Sequence, residues 1–249
     1  MFYQKPHSVR DYFLIGFTCF ICATVFFSTY KDTDILVSLM FYASKNEFLL
    51  RGNFIGDILR NFFKLIYVSA LVVTIISLLV ALLDKANRLT NHINKLVFVL
   101  LCLSIGPGLI ANLTFKANWE RARPIQIEQF GGTKSFSPPL IISDQCEGSN
   151  CSFVSGEASN IFSLFFALGL ILRSLYRRRL FAAAIFAGLA SGFVRIAQGA
   201  HFLSDVIYAG IFMWFTSLAI YWGVFEFWPN NQKYLALFKK QFGIFSWEK

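Results

Sequence analysis

Ser191 to Asp205 reads S-G-F-V-R-I-A-Q-G-A-H-F-L-S-D. It sets Arg195, His201 and Asp205 in or beside segments otherwise apolar enough to lie in lipid. Ionisable groups in such places are costly and by default mark a functional site. The other two histidines, His7 and His92, fall in polar segments. His201 and Asp205 are four residues apart, which predicts one helix face on which the two hydrogen-bond. A carboxylate against one imidazole nitrogen fixes the tautomer and leaves the other nitrogen free for chemistry. The bland alternative is a polar pair joining two membrane helices, and this stretch alone does not choose between them.

Working outward, the 249 residues are 56% hydrophobic and include 30 phenylalanines, with the apolar residues in long blocks. That excludes an ordinary soluble domain and predicts an all-α integral membrane protein. Six spans are expected at about 12–30, 65–83, 96–115, 161–176, 180–200 and 206–228, each near the ~20 residues a crossing needs. No repeat or linker divides the chain, so residues 1–249 read as one bundle. Pro107, between Gly106 and Gly108 in the third span, predicts a kink. Lys31 to Lys64 mixes charges with short apolar pieces such as Ile35 to Tyr42 and reads as an interfacial loop with a short amphipathic helix. Cys19 and Cys22 have no polar neighbours and read as small apolar residues rather than a redox pair.

Six spans put both termini on one side. Thirteen Lys and Arg fall on that side and ten on the other, which favours cytoplasmic termini. The long polar stretch Lys116 to Asn160 then faces outward, with the site. Cys146 and Cys151, five apart in a Gly/Ser/Asn loop, suit a small disulfide ring in an oxidising compartment such as the periplasm. The net charge of +9 does not point to nucleic acid, because most basic residues flank spans rather than forming a stripe.

Under this topology three stretches meet at the outer surface: K-A-N-W-E-R-A-R-P (Lys116 to Pro124), S-F-V-S-G-E-A-S (Ser152 to Ser159) and the opening stretch. Lys116, Arg123 and Arg195 would then surround the His201–Asp205 pair. Such cations repel one another unless an anion joins them, and a phosphate fits the Arg fork and the Lys point charge. Ser155 and Gly156, at the start of the fourth span, would add helix N-terminal amides. Trp119 reads as an interfacial anchor, Glu120 as the exposed partner of Arg121, and Asp144 and Glu147 as solvated loop charges.

Lys116 followed after six residues by Arg123-Pro124 resembles the first motif of the type 2 phosphatidic acid phosphatase (PAP2) family. Arg195, His201 and Asp205 resemble its third, and Ser152 to Ser159 stands in the place of the second, P-S-G-H. The resemblance implies a metal-independent, cofactor-free lipid phosphatase working through a phosphohistidine. His201 would be the nucleophile and Asp205 its orienting base, while Lys116, Arg123, Arg195, Ser155 and Gly156 would hold the phosphate. Val194 replaces the family's Ser before Arg195, and Val154-Ser155-Gly156-Glu157 replaces P-S-G-H. Glu157 then reads as the general acid in place of histidine, as a helix-dipole partner, or as a mark of lost activity.

The V-S-G-E variant looks like a bacterial subgroup near the lipid A phosphatases, of 4′ rather than 1 type. This implies an enzyme of the bacterial inner membrane, acting on lipid A at the periplasmic leaflet. Undecaprenyl diphosphate, phosphatidylglycerol phosphate and phosphatidic acid are the alternative substrates. A lipid phosphotransferase and a non-catalytic lipid-binding protein are the alternative activities.

Overall fold

The computed structural model describes residues 8–43, 47–84, 90–146, 148 and 150–227. The expectations for His7, Glu147 and the tail beyond Phe227 lie outside the described residues, as does the 85–89 part of the loop after the second expected span. Seven α-helices follow in order among the described residues: α1 (Val9–Thr29), α2 (Thr33–Leu39), α3 (Phe54–Leu83), α4 (Thr90–Ser104), α5 (Gly156–Ile171), α6 (Ser174–Ala197) and α7 (Leu203–Tyr221). Between α2 and α3, β1 (Tyr42–Ala43) pairs antiparallel with β2 (Glu47–Phe48), a small departure from an all-helical chain.

Among the described residues, five helical segments are long and apolar enough to cross a membrane: Val9–Thr29, Phe54–Leu83, His92–Lys116, Ser174–Ala197 and Leu203–Phe227. Only 11% of the most apolar window of α3 is buried, and Phe62, Leu65, Val73 and Ile76 point outward from it. A water-soluble protein buries such residues; here lipid is the solvent that accepts them. The sixth apolar helix, α5, has 16 residues, a length of about 24 Å against a hydrocarbon core of ~30 Å.

Several boundaries differ from the sequence expectation. The second span starts at Phe54 rather than 65, capped by the Asn53 side chain on the Ile55 amide, so the expected interfacial loop shrinks to α2, the hairpin and a turn. The fourth apolar helix runs 156–171 rather than 161–176. Leu172 leaves helical geometry and Arg173 caps α6, so Arg177, Arg178 and Arg179 open α6 instead of closing α5. Pro107 lies where α4 passes into a π-helix over Ile105–Lys116, so the helix departs from regular α geometry at the proline. Gly106 lies against Met213 and Ser163 there, and a Cβ would stand 2.8 Å from the Met213 sulfur.

α5 is the centre of the bundle. Ala158, Ile161, Phe162, Leu164, Ala167 and Leu170 are buried along it, packed mainly on α6 and α7. Close approach comes from α6, where Ala184, Gly188 and Gly192 recur every fourth residue on a buried face. Phe162 fills the notch at Gly188 and Val206 that at Gly192, small-residue packing that suits helices without a hydrophobic drive between them.

Five elements meet at one end of the bundle. The Leu50 amide before α3 donates to the Ala197 carbonyl at the end of α6 (3.0 Å), and the Ser155 amide before α5 donates to the Asp205 carbonyl in α7 (3.1 Å). The Ser204 amide in α7 donates to Asp34 of α2 (2.8 Å). Beneath this end, Phe48, Ala122, Ile127, Phe130 and Phe202 form a second small core. Gly199 turns the chain from α6 toward His201 at φ +65°, where a Cβ would also stand 2.4 Å from the Phe48 ring, so geometry and space both require glycine.

Candidate active site

His201 is 1% exposed and sits in the turn before α7, not on the helix with Asp205. Its Nδ1 lies 2.8 Å from the Ser152 carbonyl oxygen but 3.6 Å from Asp205 Oδ2, beyond hydrogen-bond reach. A carbonyl oxygen can only accept, so Nδ1 carries the proton and Nε2 is left with its lone pair. Asp205 therefore orients His201 at one remove. Its Oδ2 accepts the Ser152 hydroxyl (2.5 Å) and the Phe202 amide (2.8 Å), fixing both the loop that holds the ring and the turn that carries it. Burial lowers the His201 pKa to about 4, with Lys116 and Arg195 adding to the effect, while Asp205 opposes it. The imidazole is neutral across the physiological range.

Lys116 ends the π-helical segment and reaches over the start of α5. A Cβ on Gly156 would stand 3.0 Å from the Lys116 ammonium and 3.1 Å from the Asn112 amide oxygen. Glycine is thus what lets a cation lie against the first turn of α5. Ser155 contributes differently from the expectation. Its amide is taken by Asp205, so the amides that open α5 begin at Gly156, while its buried hydroxyl has no hydrogen-bond partner among the described residues. A buried orphan hydroxyl beside a helix N-terminus is what an arriving anion would satisfy.

Glu157, in the first turn of α5, is clasped by two guanidiniums. Arg195 Nε pairs with Oε2 and Arg60 Nε with Oε1 at 2.7 Å. A carboxylate so held is an acceptor only. Arg60 was not singled out in the sequence, because α3 was expected to start after it. Arg123 donates from its side chain to the Asn150 carbonyl (3.1 Å) and amide oxygen. Burial lowers its pKa, with Arg51 and Arg60 adding to the effect. Cys146 and Cys151 are joined by a disulfide that closes the loop carrying Asn150.

The largest difference concerns Arg121. The exposed partner of Glu120 expected from the sequence is wholly buried (0% exposed) and bridges Asp205 Oδ1 (2.6 Å) and Asp34 Oδ2 (2.8 Å). Its guanidinium also lies 4.5 Å from the Phe202 ring centroid. Burial works against its charge, but Asp205 and Asp34 outweigh that and raise its pKa. Trp119 packs edge-on to Phe115 and against Phe153, half-buried in an aromatic cluster. Among the described residues no His, Cys, Asp and Glu group could hold a metal ion.

A neutral imidazole with an open Nε2 thus stands among Lys116, Arg195 and a helix N-terminus, an arrangement able to take a phosphoryl group. The PAP2 superfamily model matches residues 95–229. A lipid A 4′-phosphatase of Francisella tularensis subsp. novicida is 36% identical over 215 residues, covering 85% of this chain and 95% of its own. Lipid A 4′-phosphatases of Rhizobium leguminosarum (35% over 211 residues; 78% and 87% covered) and Rhizobium etli (30% over 233 residues; 88% of each) are also similar. No solved structure matches.

Proposed function

The chain belongs to the PAP2 superfamily and is a phosphoric monoester hydrolase of the membrane, and from that premise we propose that it removes the 4′-phosphate of lipid A at the periplasmic leaflet of the bacterial inner membrane. The relatives' names support the substrate. In this reading the chain is one domain of six spans, α5 being the short one, sunk beneath its loops, with the site facing outward.

The observation that carries the mechanism is the His201 ring: Nδ1 on the Ser152 carbonyl, Nε2 open, and neutral. His201 Nε2 attacks phosphorus, an N–P bond forms and the P–O bond to the sugar breaks. Lys116, Arg123, Arg195, the Ser155 hydroxyl and the Gly156 amide hold the phosphoryl oxygens. Phosphate takes Arg195 from Glu157. Freed of Arg195 but still facing Arg60, the Glu157 carboxylate beside the bound dianion takes a proton from water and gives it to the departing sugar oxygen. Water then cleaves the N–P bond, with Glu157 taking its proton.

His201→Ala should release no phosphate from lipid A while remaining folded, and acid-sensitive, base-stable phosphoprotein should be trapped from the wild type alone. Turnover by His201→Ala would overturn the mechanism. Undiminished 4′-phosphate in the lipid A of cells overexpressing the wild type would overturn the substrate.

A further inference from the structure

Asp34 is 1% exposed and opens α2. Its Oδ1 accepts the Ser204 amide (2.8 Å), and its Oδ2 accepts the Ser204 hydroxyl (2.5 Å) and Arg121 Nη2 (2.8 Å). Arg121 Nη1 meets Asp205 Oδ1 and the Ser204 hydroxyl (2.8 Å), and its Nε donates to the Ser137 carbonyl (2.9 Å). Every member is buried. The chain of contacts ends at Ser152, whose hydroxyl holds Asp205 and whose carbonyl holds His201 Nδ1.

The charges decide what this network does. Arg121 against Asp205 alone would cancel the carboxylate on the Nδ1 side of the nucleophile. Asp34 on the far side of the same guanidinium restores the balance, so two carboxylates share one cation and an excess negative charge remains beneath the ring. That excess matters only once His201 reacts. With Nδ1–H kept on the Ser152 carbonyl, bonding of Nε2 to phosphorus makes a neutral ring cationic, in a water-poor site where a nearby opposite charge counts strongly.

We propose that Asp34 and Arg121 are positioning residues which, with Asp205, form a buried anionic relay that holds His201 and stabilises the cationic ring of the phosphoryl-enzyme. The proposal rests on His201 being the nucleophile. Asp34 lies outside the part of the chain that the family model matches, on a helix tied to the site through the Asp34 side chain.

Asp34→Asn keeps the shape and the acceptor for the Ser204 amide, removes the excess charge and replaces the oxygen that faces Arg121 with an amide NH2. Per folded molecule, kcat should fall about 10- to 100-fold, with KM changed less than about two-fold, as expected when an interaction is made only in the transition state. Its acid limb should also move to lower pH. His201 is faced by Lys116, Arg195, Glu157 and Asp205, and removing one more anion from behind it makes protonation harder. Asp34→Glu, which keeps the charge, should recover much of the lost kcat.

Folded protein is scored by monodisperse elution in detergent. A wild-type kcat and unmoved acid limb in Asp34→Asn overturn the relay, as does Asp34→Glu no better than Asp34→Asn. An Asp34→Asn protein that does not fold counts against it too, because a structural role then suffices. Trapping phosphohistidine from the wild type is the separate control. If none forms, the nucleophile reading has failed, whatever the Asp34 variants do.

Discussion

Glu157 is where a carboxylate replaces an imidazole, and Arg60 and Arg195 close on it from two sides. Glu157→Gln keeps the shape, removes the proton and removes an anion that competes with phosphate. If Glu157 is the acid, kcat should fall roughly 10²–10⁴-fold while KM falls as well. A near-normal kcat would leave Glu157 as a partner of the helix end and of its arginines. Asp205 favours protonated His201, but burial outweighs it, and the sign follows. His201 has a folded pKa near 4, below its ordinary 6.5, so its contribution to stability is full above about 6.5 and is lost as pH falls from there toward 4. In kcat/KM the enzyme's acid limb should lie near 4, once the substrate phosphate's own ionisation near pH ~6 is divided out. A limb at 6.5 would mean that the ring is wet. His201, Asp205, Lys116 and Arg195 were legible because motif spacing is local. Arg121 and Asp34 were not, because the contact that buries them spans 87 residues and a loop has no periodicity to betray its inward side.

The helices were legible as apolar blocks, but their ends were not. In α3, Asp57, Arg60 and Lys64 break the hydropathy of the first turns, though spaced three and four apart they occupy one side of a helix. That side brings Arg60 to Glu157, so the misread boundary hid a site residue. The glycines of α6 carry the next test. A Cβ on Gly188 would stand 2.5 Å from the Phe162 ring, and one on Gly192 2.2 Å from Val206. Overpacking of this kind costs about 1–3 kcal/mol. Gly188→Ala, whose added Cβ meets Phe162 of α5 two turns before Arg195, should lower the unfolding temperature in detergent while leaving kcat per folded molecule unchanged. Gly192→Ala pushes on Val206, next to Asp205, and should lower both. Equal kcat losses in the two variants would mean that the bundle moves as a whole rather than at the α6–α7 contact.

For the whole molecule the open matter is which way the site faces, and the loop between α4 and α5 carries the means to test it. Its Cys146–Cys151 bond closes the segment from which Asn150 holds Arg123, directly before Ser152, which holds both His201 and Asp205. Thiols stay reduced in the bacterial cytoplasm and oxidise in the periplasm, so bond and site share one end and one compartment. His92, exposed at the start of α4, lies a full helix away from that end. Cys19, Cys22 and Cys102 are free and are first replaced by alanine. In spheroplasts, a membrane-impermeant maleimide should then label neither Cys146 nor Cys151 until a reductant is added, and afterwards both, from outside. A His92→Cys variant should react only after the membrane is opened. Reduction should also loosen the Asn150 clamp on Arg123, raising KM several-fold while kcat changes little, since His201 stays anchored through Asp205. Labelling of Cys146 and Cys151 only in opened membranes would turn the enzyme over, and free thiols in unreduced protein would remove the bond from the argument altogether.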